Sequence, residues 1–125
     1  MIHSGNVLAF IGDGVLTLQV REHLVAKGIT NTKELQEKSV AYVSAKAQAT
    51  FIRSLLDKEV LTDTELTYFK RGRNAKSHSI AKNTDVNTYR YATGFESLWG
   101  YLYLSKETER LDALWKMFIE MVDKS

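Results

Sequence analysis

The chain of 125 residues contains no cysteine. That excludes a disulfide framework, a thiolate metal site and a cysteine nucleophile. It has no proline either, which favours long uninterrupted helices over a loop-rich β fold. Long hydrophobic runs are also missing. The longest near the start, Val7 to Ile11, is too short to span a bilayer. The N-terminus lacks the basic region and apolar stretch of a signal peptide. The expectation is a soluble cytoplasmic protein that does not enter a membrane. Hydrophobic residues at 44% and charged residues at 26% are ordinary for a globular domain. The length fits a single domain, 1–125, with its own core.

A large net charge is absent too, since the chain carries only +2. The distribution is nevertheless uneven. Between residues 70 and 90 stand Lys70, Arg71, Arg73, Lys76, Lys82 and Arg90, against the single acid Asp85. The stretch carries +5 and the rest of the chain −3. Such asymmetry points either to a polyanion-binding patch or to a solvated charged loop.

Apolar residues recur at helical spacing almost throughout. Leu111, Leu114, Trp115, Phe118, Ile119 and Val122 trace one face of a last helix, with Ser105 as its expected N-cap. A first helix is expected from about Asn6 to Lys27, stopped by Gly28. "NTKE" (31–34) reads as the start of a short helix. An alanine-rich helix is expected from Ser39 to about Lys58. "TDTE" (62–65) is a capping box opening a helix that ends near Arg71 or Gly72. A polar loop follows over 72–83, long enough to be a functional candidate. Thr84 or Asp85 then opens a helix through Leu104. The pattern predicts an all-α domain of about six helices. The 84–104 helix is apolar almost all round, which suggests a two-fold dimer covering the excess.

Two acids stand out. Asp13 lies in "LAFIGDGVLTL" and Glu96 in "TGFESLWGYLYL", both strongly apolar and both with glycines close by. Neither has a basic residue three or four positions away, so no local ion pair explains it. An ionised carboxylate out of water needs a cation or hydrogen-bond donors. One reading pairs these acids with distant basic residues such as Lys46 or Arg53. The other crosses the two helices so that both carboxylates face one hard cation, for which magnesium is suited. The nearby glycines destabilise a helix by roughly 1 kcal/mol each, which suggests close approach by another helix or a ligand. His3, His23 and His78 show no metal-ligand spacing.

"LAFIGDGVL" and "FESLWGYLYL" resemble the two catalytic segments of the ribonuclease III family. "VSAKAQA" and "FKRGRNAKSHSIAKNTDVNTYRYATGFE" are more specifically similar to its short Mini-ribonuclease III branch, which is a catalytic domain without a double-stranded-RNA-binding domain. The resemblance covers nearly the entire chain. It implies the all-α ribonuclease III fold, a homodimer, and Mg2+-dependent cleavage of double-stranded RNA, with Mn2+ as a substitute metal. For the short branch it implies maturation of the 23S ribosomal RNA precursor. Asp13 and Glu96 match the catalytic, metal-binding acids. Where longer relatives carry further acids, this chain has Asn6, Ala9 and Thr93, which implies fewer direct ligands. Gly14 stands where alanine is usual.

On this reading, phosphodiester hydrolysis is driven by magnesium held by Asp13 and Glu96, and no side chain acts as the nucleophile. The basic residues Lys70, Arg71, Arg73, Lys76, Lys82 and Arg90 track the RNA backbone. Asn74, Ser77, Ser79 and Asn83 reach sugars or phosphates. Lys46 lies near the scissile region. Tyr91 belongs to the core. The alternative from another class is a non-catalytic helical RNA-binding protein acting in ribosome assembly, which needs neither carboxylate.

Overall fold

The structure is a computed structural model that describes residues 3–76 and 85–125. Six helices make up the described residues: α1 Gly5–Ala26, α2 Thr32–Val43, α3 Ala45–Asp57, α4 Asp63–Arg73, α5 Val86–Leu104 and α6 Thr108–Lys124. No strand occurs among them, so the all-α expectation holds.

Local chemistry sets most boundaries. Ser4 caps α1 through the Val7 amide at 3.2 Å. The helix ends where Gly28 takes φ +93°. There the amides of Gly28 and Ile29 fold back onto the carbonyls of Val25 and Leu24, the reversal that glycine makes cheap. Thr62 and Glu65 form the capping box read from the sequence, with both reciprocal bonds present. Asp85 caps α5 through the Thr88 amide.

Two expectations need correction. The alanine-rich helix does not begin at Ser39. Instead α2 runs through Ser39 to Val43, and Ser44 turns extended, with ψ 149°. Ser44 then caps α3 through the Ala47 amide. Ser105 does not cap the last helix. It is the C-cap of α5, and Lys106, at φ +57°, reverses the chain. Glu107 then leads into α6 with no side-chain cap.

Helix α5 is the centre of the fold and packs against α1, α3, α4 and α6. Phe95, Leu98, Trp99 and Leu102 are all buried in the core they share with Leu16, Phe51, Phe69 and Phe118. Phe95 and Trp99 stack at 4.4 Å, and Phe51 meets Phe118 edge-on at 5.1 Å. The indole Nε1 of Trp99 donates to Gln19 Oε1 at 2.8 Å. The all-round apolar character of α5 is therefore absorbed largely within the chain. The apolar surface left over lies mainly on α1, at Val7, Phe10 and Leu18, and at the ends of α5, at Val86, Tyr103 and Leu104.

Glycines let α1 and α5 touch backbone to backbone. A Cβ on Gly12 would overlap the carbonyl of Glu96, and one on Gly100 would overlap the carbonyl of Leu8. The close approach suggested by the sequence is thus made by another helix. Gly14 is different, because nothing lies near where its Cβ would be.

Candidate active site

The Gly12 contact explains how two acids 83 positions apart meet. Gly12 presses against the backbone of Glu96, and Asp13 is the next residue. Asp13 is exposed and Glu96 half-buried. Burial acts most strongly on Glu96. A hydrogen bond with Asp13 and the negative charge of Asp13 add to it, and together they push the Glu96 carboxyl up to about 9. The Gln48 amide, bonded to the same carboxyl, pulls the other way. At neutral pH Glu96 therefore keeps its proton and donates it to Asp13. Two carboxylates this close cannot both ionise cheaply without a cation.

Among the described residues, the groups acting on Glu96 include neither Lys46 nor Arg53. The guanidinium of Arg53 lies instead over the Tyr91 ring, 4.6 Å from its centroid. Pairing with those basic residues is therefore not what holds Glu96 in place.

The oxygen-only donor set suits a hard divalent cation. Among the described residues no third histidine, cysteine or acid joins the pair. Thr93, expected from the resemblance to stand in place of an acid, donates through Oγ1 to the Tyr89 carbonyl at 3.0 Å. Asn6 donates to the Lys76 carbonyl at 2.9 Å. Ala9 is buried. Direct protein ligands to such a cation would be few, and water would complete the coordination shell, as magnesium commonly allows.

Gln48 was not singled out from the sequence, yet it reaches this site. Its side chain is 3% exposed, and Nε2 donates to the Val43 carbonyl at 3.0 Å. A signal for it exists. Gln48 shares the buried stripe of α3 with Phe51, Ile52 and Leu55, and an amide on an apolar stripe calls for a partner.

The basic residues are dispersed. Lys70, Arg71 and Arg73 occupy the last turn of α4, where they also complement the helix dipole. Arg71 donates to the His3 carbonyl at 3.0 Å and lies over Tyr68. Arg73 lies over Phe69 and donates to Asn74. Lys76, Arg90 and Lys46 are exposed, Lys46 in the first turn of α3. Lys82, Ser77, Ser79 and Asn83 lie outside the described residues. Through Asn6 and Lys76 the basic segment abuts α1 two turns before Asp13, about 10 Å along the axis. Tyr91 stacks on Phe69 and packs against the core.

His23 lies far along α1 from Asp13. It bonds to Asp123, which also accepts from Tyr42 and Lys27. This cluster ties the end of α6 to α1 and α2.

Comparison with known proteins agrees with the geometry. The family described as the ribonuclease III domain matches residues 6–107. The Mini-ribonuclease 3 of Enterococcus faecalis is 48% identical over 98% of this chain and 92% of its own length. Those of Streptococcus pneumoniae and Staphylococcus aureus are each 47% identical, over 96% and 94% of this chain and 94% and 87% of their own lengths. A crystal structure of a Fusobacterium nucleatum protein superposes with a TM-score of 0.86 at 27% identity, covering 95% of both chains. With the match spanning both carboxylate segments, the chain belongs to the ribonuclease III family of endoribonucleases and, within it, to the Mini-ribonuclease 3 branch.

Proposed function

We propose that this protein cleaves double-stranded RNA in a magnesium-dependent reaction, in the cytoplasm, and that its cellular substrate is a stem of the 23S ribosomal RNA precursor. The observation that carries the reading is the meeting of Asp13 and Glu96, two hydrogen-bonded acids with, among the described residues, no basic partner acting on Glu96. A fold gains no stability from such a pair, whereas a site for a divalent cation requires it.

Asp13 and Glu96 would hold the metal, with manganese able to replace magnesium. A cation there would stabilise the charge that builds on the phosphoryl oxygens. The helices aim both carboxylates from packed elements, as a preorganised site needs. Lys46, Lys70, Arg71, Arg73, Lys76, Lys82 and Arg90 would bind the RNA backbone. A duplex presents phosphates and 2′-hydroxyls across a shallow groove and is read mainly by shape, which dispersed basic residues suit. Residues 1–125 would act as one catalytic unit.

The active form would be a homodimer. Phe10 is 79% exposed on α1. An apolar groove between α1 and the end of α5 is lined by Ile11, Val15, Leu18 and Leu104. A second copy would cover both features and supply a second site, one for each RNA strand.

The test is cleavage of a simple RNA duplex with magnesium and with a chelator. Cutting that stops on chelation and returns with added magnesium supports the reading. Tight duplex binding with no cutting under any metal would replace it with the non-catalytic one.

A further inference from the structure

Gln48 presents an unsolved hydrogen-bond balance. Its amide nitrogen carries two hydrogens. One goes to the Val43 carbonyl at 3.0 Å, and the other is available to the Glu96 carboxyl, to which the amide is bonded. The orientation is therefore fixed, because a flipped amide would set its oxygen against the oxygen of Val43. Oε1 is left buried and, among the described residues, without any donor. A buried carbonyl oxygen in that state is rare in folded proteins and calls for a missing partner.

The break between α2 and α3 creates this arrangement. Val43 ends α2 with an orphan carbonyl, and Ser44 turns the chain. Gln48, one turn into α3, reaches back to that carbonyl while its own stripe faces the core. A continuous helix would have bonded the Val43 carbonyl internally and left the amide nothing to brace against. The brace thus joins the turn at Ser44 to the carboxylate on α5.

We propose that Gln48 is a positioning residue of the active site: its nitrogen holds the Glu96 carboxyl toward Asp13, and its open oxygen accepts a hydrogen bond from the hydration shell of the divalent cation. The chemistry fits the donor shortage described above. With two carboxylates as the protein's acids, magnesium retains several waters, and each retained water needs acceptors. An amide oxygen supplies one without adding a third negative charge. Partners of this kind, one step removed from the metal, fix ligand orientation and affinity.

This inference rests on Asp13 and Glu96 being the cation site, so the experiment separates the two. Magnesium alone, and manganese alone, are titrated by calorimetry into the metal-free full chain, its Gln48→Met and Gln48→Glu variants, and Asp13→Asn. Single-turnover duplex cleavage is measured beside each titration. Gln48→Met keeps the volume but removes the acceptor. It is expected to weaken cation affinity about tenfold or more, and to lose cleavage that higher magnesium partly restores. Gln48→Glu returns an acceptor and is expected to bind the cation at least tenfold more tightly than Gln48→Met. A merely structural brace would lower the melting temperature in both variants without moving cation affinity. Wild-type affinity in Gln48→Met overturns the proposal, as does a Gln48→Glu variant no tighter than Gln48→Met. Should Gln48→Met not fold, Gln48→Glu weaker than wild type overturns it. If Asp13→Asn binds the cation as tightly as wild type, the site itself is misassigned. If it does not and Gln48→Met does, only the role of Gln48 fails.

Discussion

Replacing Glu96 with glutamine tests the chemistry of the site through stability alone, before any RNA is added. Burial and Asp13 raise the Glu96 carboxyl from 4.5 to about 9. The folded protein therefore keeps a proton that the unfolded chain releases above pH 4.5. Since the native state binds more protons in that window, stability falls as pH rises from 4.5 to 9 and is flat on either side with respect to this group. Each pH unit corresponds to at most 1.36 kcal/mol, so the loss between pH 4.5 and 7 has a ceiling of about 3 kcal/mol. Water reaching the half-buried carboxyl lowers that figure. Glutamine can donate to Asp13 as the protonated acid does, and it cannot ionise. In metal-free buffer Glu96→Gln should equal wild type near pH 4.5 and grow more stable relative to it as pH rises. Each kcal/mol appears as about 3–5 °C in a chain of this size. Thermal melts in chelator from pH 5 to 9 give the comparison. Magnesium should raise the wild-type melting temperature but not that of the variant, and the variant should bind duplex within a few fold while failing to cut it. A wild-type stability flat across this range, or a variant less stable than wild type at pH 8, would refute the reasoning. The latter is what loss of a buried ion pair predicts.

Gly12→Ala should destabilise by about 1–3 kcal/mol through overpacking against the Glu96 backbone, whereas Gly14→Ala should stabilise by about 0.5–1 kcal/mol through helix propensity; urea melts of both check this. Arg110 bonds both carboxylate oxygens of Glu65 and the Val60 carbonyl, so Arg110→Met, which strands a buried acid, should cost about 3 kcal/mol in a urea melt with cleavage intact at low temperature. If the basic residues of 70–90 contact phosphates, log affinity for duplex RNA should fall against log salt with a slope of about −4 to −5. Arg71→Ala with Arg73→Ala should flatten it by about 1–2 units, and an unchanged slope in a filter-binding series would leave that stretch a solvated surface. Light scattering should give twice the 14.2 kDa chain mass, and Phe10→Asp should return it to one chain.

Asp13 and Glu96 were legible as anomalies, each an acid in an apolar run with no local partner. Their meeting was not, because it depends on where α1 crosses α5. The glycines gave half of that answer: their helix penalty signalled a close approach, but only the packing pairs Gly12 with Glu96 and Gly100 with Leu8. Helix starts with strong caps, at Thr62 and Asp85, were readable. The break at Ser44 was hidden because serine, alanine and lysine there suit a continuous helix, and neither glycine nor proline marks the turn. Ser105 misled because a serine before an apolar helix looks like a cap, while the reversal is made by Lys106 in a conformation that sequence rarely reveals. Apolarity of α5 suggested a dimer for a reason the fold largely removes. The apolar surface that remains exposed includes Phe10, and it is there that the proposed dimer is tested.

The apolar setting of the two acids has a consequence for how the site loads. Packed helices fix the carboxylates in place, and the same packing keeps water from stabilising a charge on Glu96. The metal-free site is thus a protonated one. A cation proposed for this site could not be held by a carboxyl that keeps its proton, so its binding would have to expel that proton. In the range where Glu96 is protonated, cation affinity would gain up to tenfold for each unit of pH, and the gain would end above about 9, where Glu96 ionises by itself. Gln48 would lessen this penalty because its amide favours the ionised form of Glu96. If the site holds the proposed cation, rigidity, proton affinity and metal affinity are therefore not separate properties of it. All three follow from setting two acids where Gly12 brings α1 against α5.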